Sequence, residues 1–114
     1  MEVKGENYNV WYDNDSNYVN FSGTLRLTGM KDYTPILDLL NNIAEKQSGK
    51  ITLNLQQLEF LNSSGISMLS KFIIGMRKKK SSEMTILASY NIPWQGKSLK
   101  NLQRLMPSLK LEIE

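Results

Sequence analysis

The sequence contains neither cysteine nor histidine among its 114 residues. Without cysteine, the chain can form no disulfide, no thiolate metal site and no thiol nucleophile. Without histidine, it lacks the commonest general base and the commonest metal ligand, so an enzyme would depend on carboxylates, lysine or tyrosine. The carboxylates, such as Asp13, Asp15, Asp32 and Asp38, form no paired arrangement along the sequence. We therefore expect a protein that is not an enzyme and that uses no metal or cofactor.

The sequence also lacks a long apolar run and an apolar segment at its N-terminus. Its apolar stretches are far shorter than the roughly 20 residues that cross a bilayer, and residues 1–6 are polar rather than signal-like. An apolar fraction of 40% and a charged fraction of 22% are typical of a folded domain, which we place at residues 1–114. We expect a cytoplasmic protein that does not bind membranes.

The net charge is only +3, and four consecutive cations at residues 77–80 contribute much of it. Such a run can contact nucleic acid or acidic lipid. Nucleic-acid platforms, however, place aromatic residues among their cations, and this run contains none. A solvated helix C-terminus, where cations complement the helix dipole, is the interpretation that we favour. No nucleic-acid partner is therefore expected.

The spacing of apolar residues predicts an α/β fold, a mixed sheet with helices in the order β-β-α-β-α-β-α-β. Residues 8–12 and 18–22 are rich in β-forming residues and flank a polar turn, which predicts an antiparallel hairpin. Gly23, inside the second strand, indicates a bulge or a close backbone approach. Alternation of strands and helices after the hairpin predicts right-handed crossovers and a parallel part of the sheet. The later strands are predicted at residues 50–55, 84–90 and 109–114.

The first predicted helix has Asp32 or Thr34 as its cap, Pro35 in its first turn and Gly49 after its end. Its inner stripe is predicted to consist of Ile36, Leu39, Leu40 and Ile43. Beyond the next strand, Leu58, Phe60 and Leu61 are expected to pack under the sheet.

The second predicted helix, from about residue 64 to residue 77, carries more apolar residues than one stripe needs. Met68 and Phe72 fall on the flank of the stripe, where they either bind a partner or are buried by a wider core. A third helix is predicted to end before Pro107. The last strand is expected at a sheet edge, where it could pair between chains, so we expect a monomer or a weak dimer. The inner stripe of the second helix is predicted to be Ile66, Leu69, Ile73 and Met76.

Residues 62–65, with the sequence Asn-Ser-Ser-Gly, join the third strand to the second helix. Asparagine and serine are good helix caps, because their side chains accept hydrogen bonds from the first amides of the helix. A hydroxyl group at a helix N-terminus can also carry an anionic modification that the helix dipole favours. The residues alone leave two alternatives, a cap and nothing more, or a phosphorylatable docking site. The connection at residues 23–29 should lie close by, on the same rim of the sheet.

The run from residue 51 to residue 69, with Leu58, Phe60 and the Asn-Ser-Ser-Gly-Ile junction, resembles the STAS domain family. More narrowly, it is similar to the bacterial anti-sigma factor antagonists, in which a strand ends in aspartate, then serine, serine or threonine, glycine and an aliphatic residue. The resemblance covers nearly the whole chain by element order. Residues 23–26 fall where the family has a Gly-X-Leu-Asp loop. Asn62 and Arg26 stand where the family has aspartates.

The resemblance implies a partner switch that controls transcription. In that family, the unphosphorylated protein binds an anti-sigma factor that is also a serine kinase, and binding frees the sigma factor. The kinase then phosphorylates a serine at the junction, and a metal-dependent serine phosphatase resets the cycle. By motif, that serine corresponds to Ser63, with Ser64 as the second choice. The docking surface would comprise Gly23, Thr24, Leu25, Arg26, Asn62, Ser63, Ser64, Gly65, Ile66 and Met68.

A constitutive STAS-like adaptor that is not phosphorylated is the alternative function. The replacement of two family aspartates by Asn62 and Arg26 makes this alternative plausible. A small-molecule sensor is also left open, because a sequence does not reveal pockets.

Overall fold

Six strands form one mixed sheet in the computed structural model, which describes residues 1–79 and 82–114. The first three strands are antiparallel neighbours, and the later strands pair in parallel. The predicted α/β order is confirmed, with one short strand added before the hairpin. The strands are β1 (Glu2–Lys4), β2 (Tyr8–Asp13), β3 (Tyr18–Leu25), β4 (Lys50–Leu61), β5 (Glu83–Ala88) and β6 (Lys110–Ile113), and the helices are α1 (Gly29–Lys46), α2 (Ser63–Arg77) and α3 (Gln95–Gln103).

The three helices lie together on one face of the sheet. From β3 to β6, each helix connects one strand to the next neighbour in the sheet, always toward the same edge. Because such crossovers are right-handed, all three helices lie on the same face of the sheet. Helix α1 packs against α2, and α2 packs against α3. Strand residues on this side, such as Val19, Leu53 and Ile86, are fully buried. The opposite side carries partly exposed residues such as Thr52 and Asn54, so the fold has two layers.

Gly23 has a structural role within the chain, at the bulge that the sequence predicts. Its φ angle is +87°, in the left-handed region that favours glycine. The register of β3 against β4 shifts directly after it. The backbone of Asn7 lies so close that a Cβ atom would meet it, and the Thr24 amide donates to the Asn7 carbonyl at 2.9 Å. Gly23 and Thr24 therefore belong to strand β3, whereas the STAS resemblance implies a loop at residues 23–26.

Two bulges in β4 change which residues face the helices. The strand extends to Leu61, six residues beyond its predicted end at residue 55, and its register against β3 shifts twice. Each shift inserts one extra residue in β4. The buried residues at this end of the strand are therefore three apart, at Leu55, Leu58 and Leu61, instead of two apart. The prediction that Phe60 packs under the sheet is wrong. Its ring is 37% exposed and lies on the helix-free side.

Helix α1 begins earlier than the sequence predicts, at Gly29, with Thr28 in the cap position. The predicted caps are therefore wrong. The buried Tyr33 extends the inner stripe toward the N-terminus, which favours the extra turn. Pro35 consequently lies in the second turn, where its exposed ring points away from the core. The predicted inner stripe of α1 is confirmed, since all four of its residues are buried.

Wider burial accounts for the second apolar patch of α2. Met68 is fully buried and Phe72 is 2% exposed, so both belong to the core. Met68 is therefore removed from the predicted docking surface. Of the predicted inner stripe of α2, only Ile66 remains partly exposed.

A buried glutamine supports the second half of β4, which extends beyond β5. Strand β4 pairs with β5 only from Lys50 to Asn54. Beyond that point, Gln95 takes the place of a neighbouring strand. Its Nε2 donates to the Leu55 carbonyl at 2.6 Å and the Leu58 carbonyl at 3.0 Å, and its Oε1 accepts from the Ser89 amide at 2.8 Å. The predicted irregular link therefore ends earlier, because α3 begins at Gln95.

The C-terminal elements follow the predictions closely. Strand β6 lies at one edge of the sheet, as predicted. Helix α2 ends at Arg77, with Lys78 as its C-cap, so the cation run begins at a helix C-terminus. Lys80, the last cation of that run, lies outside the described residues. Within residues 1–79 and 82–114, no helix is long and apolar enough to cross a membrane.

Candidate functional site

The ends of β3 and β4 bring two strand-to-helix connections together. Leu25 pairs with Leu61, the last residue of β4, and the Asn62 amide donates to the Leu25 carbonyl at 3.1 Å. Helix α1 follows one strand and α2 follows the other, so their N-terminal ends lie side by side. The predicted proximity of residues 23–29 and 62–65 is confirmed. We call this edge, formed by residues 24–28 and 62–66, the α1–α2 rim.

Asn62 holds the α1–α2 rim together with its side-chain amide. Its Oδ1 accepts hydrogen bonds from the Gly65 amide at 2.9 Å and from the Tyr33 hydroxyl at 2.7 Å. Its Nδ2 donates to the Leu27 carbonyl at 2.8 Å. The same side chain therefore caps α2 and links it both to α1 and to the loop that precedes α1. An aspartate could make the first two bonds but could not donate to Leu27, which is a local reason for asparagine at this position.

Tyr33 is the buried partner of Asn62, and it is not among the predicted site residues. Its side chain is fully buried. Burial raises the pKa of Tyr33 above its ordinary value of 10.0, while the Leu27 backbone opposes this shift and Tyr8 adds to it. The signal that could have identified Tyr33 is its place on the α1 stripe, because a buried hydroxyl needs a polar partner.

Replacing Tyr33 with phenylalanine should lower the free energy of unfolding at neutral pH by about 1 kcal/mol, because the bond to Asn62 is lost. The raised pKa favours the folded state below about pH 10, and this stabilisation is lost as the pH rises through the folded-state pKa. Tyr33→Phe should therefore lose less stability above pH 10 than the wild type. Urea titrations at neutral and alkaline pH measure both effects. Tyr90→Phe, at a 70% exposed position, is the control and should behave as the wild type.

Gly65 permits the close packing of α2 on the end of β4. It is buried, and an added Cβ atom would lie 2.8 Å from both Leu61 Cγ and Tyr33 Oη. Such a distance is too short for carbon atoms without movement of the neighbours. The space beside Gly65 is therefore filled by residues of the same chain, and Gly65, a predicted docking residue, contributes little surface to a partner.

Ser63 and Ser64 are not the caps of α2. Asn62 fills that role, and neither serine hydroxyl makes a hydrogen bond with any of the described residues. Ser63 is exposed and Ser64 is partly exposed. The Gly65 and Ile66 amides are bonded to Asn62, whereas the two serine amides precede the helical hydrogen-bond ladder. With no acidic residue in this first turn, the helix N-terminus can accept an anion.

The remaining predicted docking residues divide into surface and core. Leu25 is fully buried, so it cannot contact a partner. Thr24 is partly exposed and Arg26 is exposed, and both border a cleft of about 320 Å³ with Glu6. The Arg26 guanidinium lies over the Phe60 ring, 4.4 Å from its centroid, and makes a cation–π contact that is not among the sequence predictions. The accessible part of the predicted surface consists of Gly23, Thr24, Arg26, Asn62, Ser63, Ser64 and Ile66.

The described part of the chain brings no three acidic side chains together in a group that could hold a metal ion. The α1–α2 rim presents the hydroxyl groups of Ser63 and Ser64, the first amides of α2 and the cation of Arg26. Such a set of groups can bind or carry an anion.

Comparison with known proteins identifies the fold but no family. No model of a protein family matches the chain, and no curated protein sequence matches it. Its structure is similar to SiaC in the crystal structure of the diguanylate cyclase SiaD in complex with its activator SiaC from Pseudomonas aeruginosa. The TM-score is 0.72 over 100% of this chain and 99% of that chain, at 8% sequence identity. The protein therefore has the same fold as SiaC.

Proposed function

We propose that this protein is a regulator that acts by binding a protein partner at the α1–α2 rim. The fold supports this proposal, because SiaC is an activator found in complex with the enzyme SiaD. The accessible rim residues supply the surface, and Asn62 fixes it by bonding to Leu27 and Gly65 of the rim and to Tyr33 of α1. A preformed surface binds with a smaller loss of conformational freedom. The anti-sigma factor with serine kinase activity, implied by the STAS resemblance, is the partner that we propose.

Phosphorylation of Ser63 is the proposed switch. The observation that carries it is the unoccupied, exposed hydroxyl group of Ser63 in the first turn of α2, where Asn62 already caps the helix. Transfer of the γ-phosphoryl group of ATP to the Ser63 oxygen would release ADP and the hydroxyl proton. The product adds about 1.5 to 2 negative charges, which the N-terminus of α2 would favour. The fold should persist, because the Ser63 hydroxyl makes no hydrogen bond with the described residues, whereas a partner packed on the rim would be displaced.

The test is incubation of the purified protein with ATP and a serine kinase encoded beside its gene, followed by intact-mass measurement. Wild type should gain a single phosphate, and Ser63→Ala should gain none. Ser67→Ala is the matched control, since Ser67 is exposed one turn further along the same helix, and it should be modified like the wild type. An unmodified wild type, or a fully modified Ser63→Ala, would contradict the proposed switch. A metal-dependent serine phosphatase should remove the phosphate.

A constitutive adaptor is the second candidate function. Asn62 favours this candidate. It stands where the STAS family has an aspartate, and its side-chain amide forms hydrogen bonds within the fold. Binding of a purified partner to Ser63→Glu separates the two candidates. An adaptor should retain its partner, whereas a switch should lose it.

A further inference from the structure

The solvent-facing side of α2 carries an apolar centre within a shallow depression. Ile74 is 39% exposed, although the helix buries most of its other large apolar residues. The depression has a volume of about 490 Å³. We call this surface the α2 outer face, and it is lined by Ser67, Ser70, Lys71, Ile74, Gly75 and Lys78.

Gly75 lines the depression, and no contact with the described residues explains a glycine at this position. It is exposed within the helix, and a Cβ atom added there would meet no atom within 4 Å. Glycine in a helix interior is unfavourable compared with almost any other residue. Because Gly75 has no side chain, the backbone of a partner protein could approach α2 closely beside the exposed Ile74.

The positive charge of α2 indicates that a protein bound on the α2 outer face would be acidic. Helix α2 contains no acidic residue, whereas Lys71 and Lys78 lie three residues before and four residues after Ile74. These two cations therefore lie on the same side of the helix as Ile74 and flank it. Among the described residues, the only ion pair is Lys50 with Glu83, at 3.9 Å, so neither lysine is neutralised within that part of the chain. Lys71 lies too far from the C-terminus of α2 to serve the helix dipole alone.

We propose that the α2 outer face binds an amphipathic helix of a partner protein, with an apolar ridge on Ile74 and acidic residues beside Lys71 and Lys78. The partner backbone would cross α2 closely at Gly75. This proposal rests on the proposed function, because it specifies the chemistry of the partner. Ser63 and Ser67 continue the same side of α2 toward its N-terminus, and Ser63 lies about 16 Å from Ile74 along the helix axis. A phosphate on Ser63 would repel the partner only where the partner helix extends along α2 to that end, because exposed charges about 16 Å apart are largely screened at physiological salt.

The test uses two stapled helical peptides, each with a leucine ridge, one flanked by glutamates and its twin flanked by lysines. NMR titration of the full chain should map the acidic peptide to the amides of residues 67–78. The acidic peptide should bind at least about tenfold more tightly than its twin at low salt, and the difference should shrink as salt is added. Gly75→Gln, which fills the depression, should weaken binding about tenfold without loss of thermal stability, because glutamine is the better helix former.

Charge variants provide the controls. Lys71→Glu combined with Lys78→Glu should favour the lysine peptide, whereas Lys46→Glu on α1, at another exposed lysine, should leave the preference unchanged. Equal affinity for the two peptides, shifts outside α2, or unchanged binding by Gly75→Gln would overturn the proposal. Concentration-dependent shifts of the α2 amides without peptide would also overturn it, because the occupant would then be a second copy of the chain.

The two proposals can fail separately. Ser63→Ala should bind the acidic peptide as the wild type does. Loss of peptide binding with normal phosphorylation would reject only the α2 outer face. Absence of phosphorylation with normal peptide binding would reject only the Ser63 switch.

Discussion

Replacing Asn62 with leucine is expected to lower the free energy of unfolding by about 3 kcal/mol. The substitution removes the cap of α2 and leaves the buried Tyr33 hydroxyl and the Leu27 carbonyl without their partner. A buried polar group that loses its partner costs more than the net value of the bond itself, because the group also loses water. Urea unfolding followed by circular dichroism measures the change.

A graded variant and a control make this prediction specific. Asn62→Asp keeps both accepting bonds and loses only the donation to Leu27, so it should cost about half as much as leucine. Ser63→Ala should change stability by less than about 0.5 kcal/mol, since its hydroxyl makes no bond to the described residues. If Asn62→Asp were as stable as the wild type, the donation to Leu27 would not contribute, and the local reason for asparagine would be wrong.

Replacing Gln95 with leucine is expected to cost about 4 kcal/mol of unfolding free energy. The side chain of Gln95 is fully buried, and within residues 1–79 and 82–114 no other side chain bonds to the Leu55 carbonyl or the Ser89 amide. The Leu58 carbonyl would keep a second donor, Trp94 Nε1, at 3.1 Å. Leucine is of similar size, so the loss should come from unpaired polar groups rather than from a cavity. Thermal and urea unfolding should both report it.

Gln103 offers the matched control for that experiment. Its Nε2 donates one bond, to the Leu109 carbonyl at 2.9 Å, and its side chain is only partly buried. Gln103→Leu should therefore cost about 1 kcal/mol, because water can replace the lost donor. Equal losses for the two leucine variants would show that Gln95 does not substitute for a strand beside β4.

The α1–α2 rim and the α2 outer face together describe how a small chain without histidine or cysteine could regulate another protein. The proposed switch needs only an exposed hydroxyl at a helix N-terminus, and the proposed docking surface needs only one apolar side chain between two cations. Neither requires a change of fold, because Ser63 and Ile74 both point away from the core. Regulation would then depend on charge at one end of α2.

Much of the fold could be predicted from sequence because its signals are local. The hairpin, the parallel strands and the buried stripe of α1 follow from periodicity, which each segment carries without reference to the others. The closeness of the two strand-to-helix connections also follows, since parallel strands end on the same rim. Helix starts were predicted less well. The α1 cap was wrong because the buried Tyr33 adds a turn, and the burial of one tyrosine depends on the rest of the core.

The sequence by itself determined the order of the elements, the position of the Ser63 junction and the absence of cysteine and histidine chemistry. Only the tertiary structure decided which residues reach the surface. Two bulges in β4 turned Phe60 outward beneath Arg26, and the packing of α2 buried Met68 and left Ile74 exposed. It also decided that Asn62, rather than a serine, caps α2. These outcomes depend on bonds and contacts between residues far apart in the chain, which the periodicity of a single segment does not contain.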